Sequence, residues 1–124
     1  MSDFTNSVLQ AVSLVPPGKV VSYGQVALLV GIPRAAIMVG QVLHQHGDTV
    51  PWWRVVNKQG RISTTCTEHN ANMQKTLLER EGVQVDRRLM IDLATYGFKP
   101  DEHFLDKLGL SDDYVQMLID KYGV

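Results

Sequence analysis

Apolar residues recur along this chain in two rhythms, one helical and one extended. In DFTNSVLQAVSLV, Phe4, Val8, Leu9, Val12 and Val15 lie three or four residues apart, which predicts a helix with Asp3 placed to cap it. The turn PPGK (16–19) follows. SYGQVALLVG predicts a short helix begun by Ser22 and closed by Gly31. Pro33 suits the first turn of the next helix, PRAAIMVGQVLHQ. After the break at HGDT (46–49) the rhythm changes. WWRVVNKQGRIS reads as two short strands around an Asn57–Gly60 turn. NANMQKTLLEREG predicts a further helix ending at Gly82, and VQVDRRLMIDLATYG an extended or mixed segment. Beyond Pro100, Phe104, Leu105, Leu108, Leu110, Tyr114, Val115, Leu118 and Ile119 return to helical spacing, with Ser111 as a cap, and predict one or two amphipathic helices.

Two short helices joined by a glycine turn and followed by a hairpin are the sequence form of a winged helix-turn-helix. Small residues, Ala27 and Gly31, stand where the helices cross and where the turn is left-handed. The predicted fold class is therefore mainly α with a small β-hairpin: a winged helix-turn-helix DNA-binding domain over residues 1–99, with a helical extension over 100–124 packed on it. The 124 residues suffice for one core without staples. A single cysteine, Cys66, excludes an internal disulfide framework. The N-terminal stretch lacks a signal-peptide pattern, and no run approaches a membrane span. The expected location is the cytoplasm, or the nucleus in a eukaryote, with no membrane partner.

Charge changes the picture more than composition does. The net charge is −1, yet residues 1–99 carry ten Lys/Arg against seven Asp/Glu, while 100–124 carry two against six. A mildly basic body thus bears an acidic tail, a distribution compatible with nucleic acid. Lys19, Ser22, Arg34, Arg54, Lys58 and Arg61 are candidate phosphate contacts, or an ordinary solvated face. Cys66 has Thr65 and Thr67 beside it and no adjacent base, so it reads as an ordinary thiol. The pairs His44/His46 and Cys66/His69 lack a standard zinc-finger spacing, so neither a metal nor another cofactor is expected.

The segment VPWWRVV poses the sharper question, since two adjacent tryptophans on a strand would face opposite ways and one core would not bury both. VPPGKVVSYGQVALLVGIPRAAIMVGQVL, then VPWWRVVNKQGRIS, then LLEREGV, resembles the DNA-binding domain of the O6-alkylguanine-DNA alkyltransferases, and within that superfamily the alkyltransferase-like proteins. The resemblance covers about residues 4–85 in order. Its most specific marks are SYG and the P-x-x-R-V-V box. Because it begins almost at Met1, the separate N-terminal domain of many alkyltransferases is expected to be missing.

The active enzymes carry Cys-His where this chain has Trp52-Trp53. Alkyl transfer needs a thiolate nucleophile and a base to take its proton, and indole supplies neither. What the resemblance implies instead is binding. Tyr23 would rotate the backbone phosphate and contact a flipped guanine, Trp52 would wall the pocket for the O6-alkyl group, and backbone groups around Trp52 and Val55 would read the base edge. Trp53 would pack behind the pocket and brace Trp52. Arg54 would help hold the pocket or touch DNA. Lys58 and Arg61 would be wing contacts, joined by Ser22 and Arg34. The family inserts an arginine from the recognition helix where this chain has Ile37, which is either an apolar wedge or a core residue.

The expected activity is recognition of O6-alkylguanine in double-stranded DNA by minor-groove docking and base flipping, without alkyl transfer. The expected partners are that DNA and nucleotide excision repair proteins, with the protein itself a monomer. Two other readings stay open: a winged-helix transcription regulator, disfavoured because the third predicted helix offers few polar readers beyond Arg34 and Gln41, and an interaction module that has lost lesion binding.

Overall fold

The computed structural model describes residues 3–64 and 70–122. Helix α1 (Asp3–Ser13) leads through a turn to strand β1 (Val21–Ser22), which runs directly into α2 (Tyr23–Leu29). The Ser22 hydroxyl accepts a hydrogen bond from the Gln25 N–H at 3.0 Å, satisfying one of the helix's orphan donors. Gly31 closes the helix at φ +85°, a conformation that side chains other than glycine rarely adopt. Helix α3 (Ala36–His46) starts three residues later than Pro33 predicts. Ile32–Ala35 form a separate turn first, with the Ala35 N–H donating to the Ile32 carbonyl.

A 3-10 turn (Gly47–Thr49) and a second one (Trp52–Arg54) lead into β2 (Val55–Val56). The hairpin expected around Asn57–Gly60 is corrected here. The turn forms, with Asn57 Oδ1 accepting from the N–H groups of Gln59 and Arg61, but its two arms do not become partner strands. β2 pairs in parallel with β1, Val21 opposite Val55 and Ser22 opposite Val56, while Arg61 bridges Met90. Helices α4 (Ala71–Arg80), α5 (Leu93–Tyr96), α6 (Glu102–Lys107) and α7 (Asp112–Tyr122) complete the order.

Two clusters of buried side chains hold these elements. In the first, Val8, Ala11 and Val12 of α1 meet Val26, Ala27 and Leu29 of α2 and Val39, Val42 and Leu43 of α3. Valine is a weak helix former, so these helices depend on mutual packing rather than on propensity. Phe104, Leu105 and Leu118 from α6 and α7 belong to the same cluster, and the Tyr114 hydroxyl donates to the Leu28 carbonyl. The second cluster gathers Val20, Val56, Ile62, Leu78, Val83, Val85 and Ile91. No described helix is long and apolar enough to cross a membrane.

Candidate functional site

Between α2, α3, α4 and the second 3-10 turn lies a cavity of about 510 Å³, bordered by Tyr23, Ile37, Gly40, His44, Trp52 and Gln74 among others. Each wall has a local cause. Tyr23 is the first residue of α2, and its ring lies against Gly40 of α3, where an added Cβ would sit 3.9 Å from Cε1. Burial raises the Tyr23 phenol above its ordinary value of 10.0, so it remains a neutral hydroxyl at physiological pH. Trp52 enters from the other side, half-buried and packed on the first cluster. Ile37 stands at the rim with 80% of its surface exposed, so the reading of it as a core residue is corrected. Ile32 and Met38 are exposed as well.

Trp53 does not line this cavity. Its ring packs on the second cluster and meets Trp52 edge to face, centroids 6.1 Å apart at 86°. A 3-10 turn rotates each residue by about 120°, so neighbouring rings leave the backbone in different directions and reach different clusters. Its indole nitrogen is buried without a hydrogen bond of normal geometry among the described residues, although the Glu81 carboxylate is near enough to feel it.

The reading of Arg54 as a DNA contact is corrected by its surroundings. Arg54 is buried, not presented to a ligand. Its Nε donates to Glu81 at 3.0 Å, its Nη2 to the same carboxylate, its Nη1 to the Val15 carbonyl at 2.7 Å, and its guanidinium lies 5.4 Å from the Trp53 ring centre. Burial alone would raise the Glu81 pKa, but the Arg54 hydrogen bonds, Trp53, and the Gly18 N–H hold it below its ordinary value of 4.5. Arg54 is therefore a clamp joining the turn after α1, the Trp-Trp turn and the end of α4. Val55 is likewise buried. Its N–H donates to the Trp52 carbonyl and its own carbonyl accepts from Gln74.

Arg34, Lys58 and Arg61 are exposed. Ser22 borders a different depression, with Lys58 and Lys99. Sequence reasoning missed Gln74, which carries no motif. It is 2% exposed, and its Nε2 donates to the carbonyls of Trp53 at 3.0 Å and Val55 at 2.9 Å. Among the described residues, no group of three His, Cys, Asp or Glu side chains is placed to hold a metal ion. Cys66 and His69 lie outside the described residues.

Comparison with known proteins places this arrangement. Residues 3–83 match the family described as 6-O-methylguanine DNA methyltransferase, DNA binding domain. The chain is 40% identical to alkyltransferase-like protein 1 of Schizosaccharomyces pombe over 106 residues, covering 81% of this chain and 98% of that one. It is 45% identical to the DNA base-flipping protein of Escherichia coli over 95 residues, covering 75% and 72%. The S. pombe protein has been solved in complex with damaged DNA containing O6-carboxymethylguanine. That structure superposes with a TM-score of 0.73 at 37% identity, over 81% of this chain and 98% of that one. The Mycobacterium tuberculosis O6-methylguanine methyltransferase gives 0.57 at 31% identity, over 76% of this chain and 55% of that one. The chain belongs to the 6-O-methylguanine DNA methyltransferase DNA-binding family, in its alkyltransferase-like branch.

Proposed function

We propose that this protein is a non-enzymatic DNA damage-binding protein that recognises O6-alkylguanine by docking in the minor groove and flipping the base into the Tyr23–Trp52 cavity. The observation that carries this reading is the cavity itself. An opening of about 510 Å³ exceeds a purine, and at the place where a transferase needs a thiolate it presents an indole. Indole cannot accept the alkyl group, so the lesion is held and not consumed. Apolar contact between the ring and the added carbons favours the alkylated base by on the order of 1–3 kcal/mol.

The rim supports the same reading. Flipping leaves a gap in the stack, and Ile37, exposed on the first turn of α3, is placed to enter it as apolar wedges do in other minor-groove binders. Arg34, Lys58 and Arg61 would contact phosphates and bring salt dependence. A protein that holds a lesion without repairing it must pass it on, and nucleotide excision repair is the proposed recipient, with a monomer as the binding unit.

The experiment is a titration of matched duplexes, one bearing O6-methylguanine and one unmodified, at several salt concentrations. Tighter binding of the lesion at each salt is expected, with no label moving from alkyl-labelled DNA to protein. Equal affinities would remove lesion recognition, and stoichiometric label on Cys66 would make the protein a transferase.

A further inference from the structure

Helix α2 bears the cavity wall Tyr23 at its start and the turn toward α3 at its end. It has seven residues, fewer than the roughly 12–15 that an isolated helix needs in water, so its placement depends on what packs against it. Part of that support comes from beyond residue 83, where the family match ends. Near the start of α2, Gln25 Nε2 donates to the Phe98 carbonyl at 2.8 Å. The Phe98 ring meets that of Phe104 edge to face, centroids 4.9 Å apart at 65°, and Phe104, Leu105 and Leu118 share the first cluster with Val26, Ala27 and Leu29. At the other end, the Leu28 carbonyl accepts from the Gly31 N–H at 3.1 Å and from the Tyr114 hydroxyl of α7. A helix leaves its last carbonyls without partners of its own. Tyr114 thus caps α2 just before the chain turns at Gly31 toward Arg34 and Ile37.

We propose that Tyr114 is a positioning residue for DNA binding: its hydroxyl holds the end of α2 and the turn at Gly31, and through them the presentation of Arg34 and Ile37 to a duplex. This rests on the lesion-binding reading above. The turn has little else to fix it. Residues 31–34 are all exposed, and nothing lies within 4 Å of where a Cβ on Gly31 would stand. Its own ties are the Gly31 N–H to Leu28, the Ile32 N–H to the Ala27 carbonyl at 3.0 Å, and the Ala35 N–H to the Ile32 carbonyl at 3.1 Å. Binding costs free energy for every segment that must be ordered as the complex forms, and a turn already held in place avoids that cost. The extension therefore acts as a brace: its core residues seat it on the helices, and Tyr114 reaches the one stretch of the recognition unit that packing leaves loose.

Tyr114→Phe keeps the ring and removes only the tie. The full-length variant and wild type are titrated, at a temperature where each is fully folded, with O6-methylguanine and unmodified duplexes at low and high salt. The variant is expected to bind the lesion about threefold more weakly, a part of what one neutral hydrogen bond contributes. The loss should be the same at both salts, because no charge is removed. In the free protein, amide exchange at Gly31 and Ile32 should quicken in the variant, since their N–H groups close the turn. A Tyr114 that only fastens α7 would lower the unfolding midpoint and leave the affinity of the folded protein unchanged, which overturns the proposal. Unchanged exchange at Gly31 and Ile32 overturns it as well. A loss confined to low salt would make the hydroxyl a phosphate contact, and the brace would be wrong. Wild type that binds the two duplexes alike removes the lesion-binding reading first. Wild type that prefers the lesion, beside a variant of equal affinity, overturns this inference alone.

Discussion

Trp52 and Trp53 are neighbours in the chain and belong to different parts of the molecule. Trp52 packs on the helical cluster of α1, α2 and α3 with one face open to the cavity. Trp53 packs on the cluster built from β2, α4 and the segment after it, over the Arg54 guanidinium. The first ring borders the Tyr23 cavity, and the second borders a separate depression with Ser13, Pro51 and Arg54. A 3-10 turn produces the separation, and Arg54 and Gln74 hold that turn from behind through Glu81, the Val15 carbonyl and the carbonyls of Trp53 and Val55. The difference teaches that a conspicuous aromatic pair divides its labour: one ring borders the cavity, and its neighbour anchors the turn to the second cluster.

The comparison is broken most directly by exchanging what each side loses. Arg54→Met leaves the Glu81 carboxylate, only 13% exposed, without its partner. Breaking such a pair costs about 3–5 kcal/mol, against a total of about 5–15 kcal/mol for a domain. Denaturant unfolding should show a large fall in stability for this variant. Trp52→Ala should do the reverse, losing on the order of 1–3 kcal/mol of lesion affinity with a smaller stability change, since its ring is only half-buried. Equal stability losses in the two variants would mean that the Trp52 ring is simply core.

The same division decided what was legible beforehand. Helix α2 was readable because its signals are local: Ser22 caps it and Gly31 ends it at positive φ. The Asn57–Gly60 turn was readable for the same reason, but its pairing was not, because the partner of Val55 is Val21, 34 positions earlier in the register Val21–Val55. Pro33 marked a helix start that lies three residues on, since the chain first closes the Ile32–Ala35 turn. Arg54 stood between holding the pocket and touching DNA, because its partner Glu81 stands outside any local pattern. Tyr23, Ile37 and Trp52 border one cavity, whereas Gln74 gave no signal: nothing in a glutamine on a helix announces two backbone acceptors on another element.

The anchor side also has a pH signature on the acid side. The Glu81 pKa is lower folded than unfolded, so its contribution to stability is fully present above its ordinary value of 4.5 and is lost as pH falls through the folded value. Unfolding free energy should therefore decline on the acid side in the native protein. In Glu81→Gln the neutral-pH stability should be lower and the acid-side decline shallower. Some slope will remain from Asp86, whose pKa is also lowered, first by the Met90 N–H and then by that of Arg88, each donating to Oδ1. A slope unchanged by Glu81→Gln would place the clamp's strength in packing instead of charge.

The smallest expected effect lies at the rim and sharpens the open side alone. Ile37 is 80% exposed, so exchanging it has little bearing on either cluster, and Ile37→Arg should leave the unfolding midpoint nearly unmoved. Its effect belongs to DNA. An isoleucine entering the stack can fill space, but it can neither bond the base left unpaired nor neutralise a phosphate. Arginine can do both, and each added phosphate contact steepens the salt dependence by about one counterion. Lesion affinity should therefore rise a few-fold at low salt, and the gain should shrink as salt increases. A gain that persists at high salt would assign the arginine to the orphaned base and not to phosphate. A large loss of affinity would mean that the rim needs an apolar side chain, with the wedge acting by shape and desolvation alone.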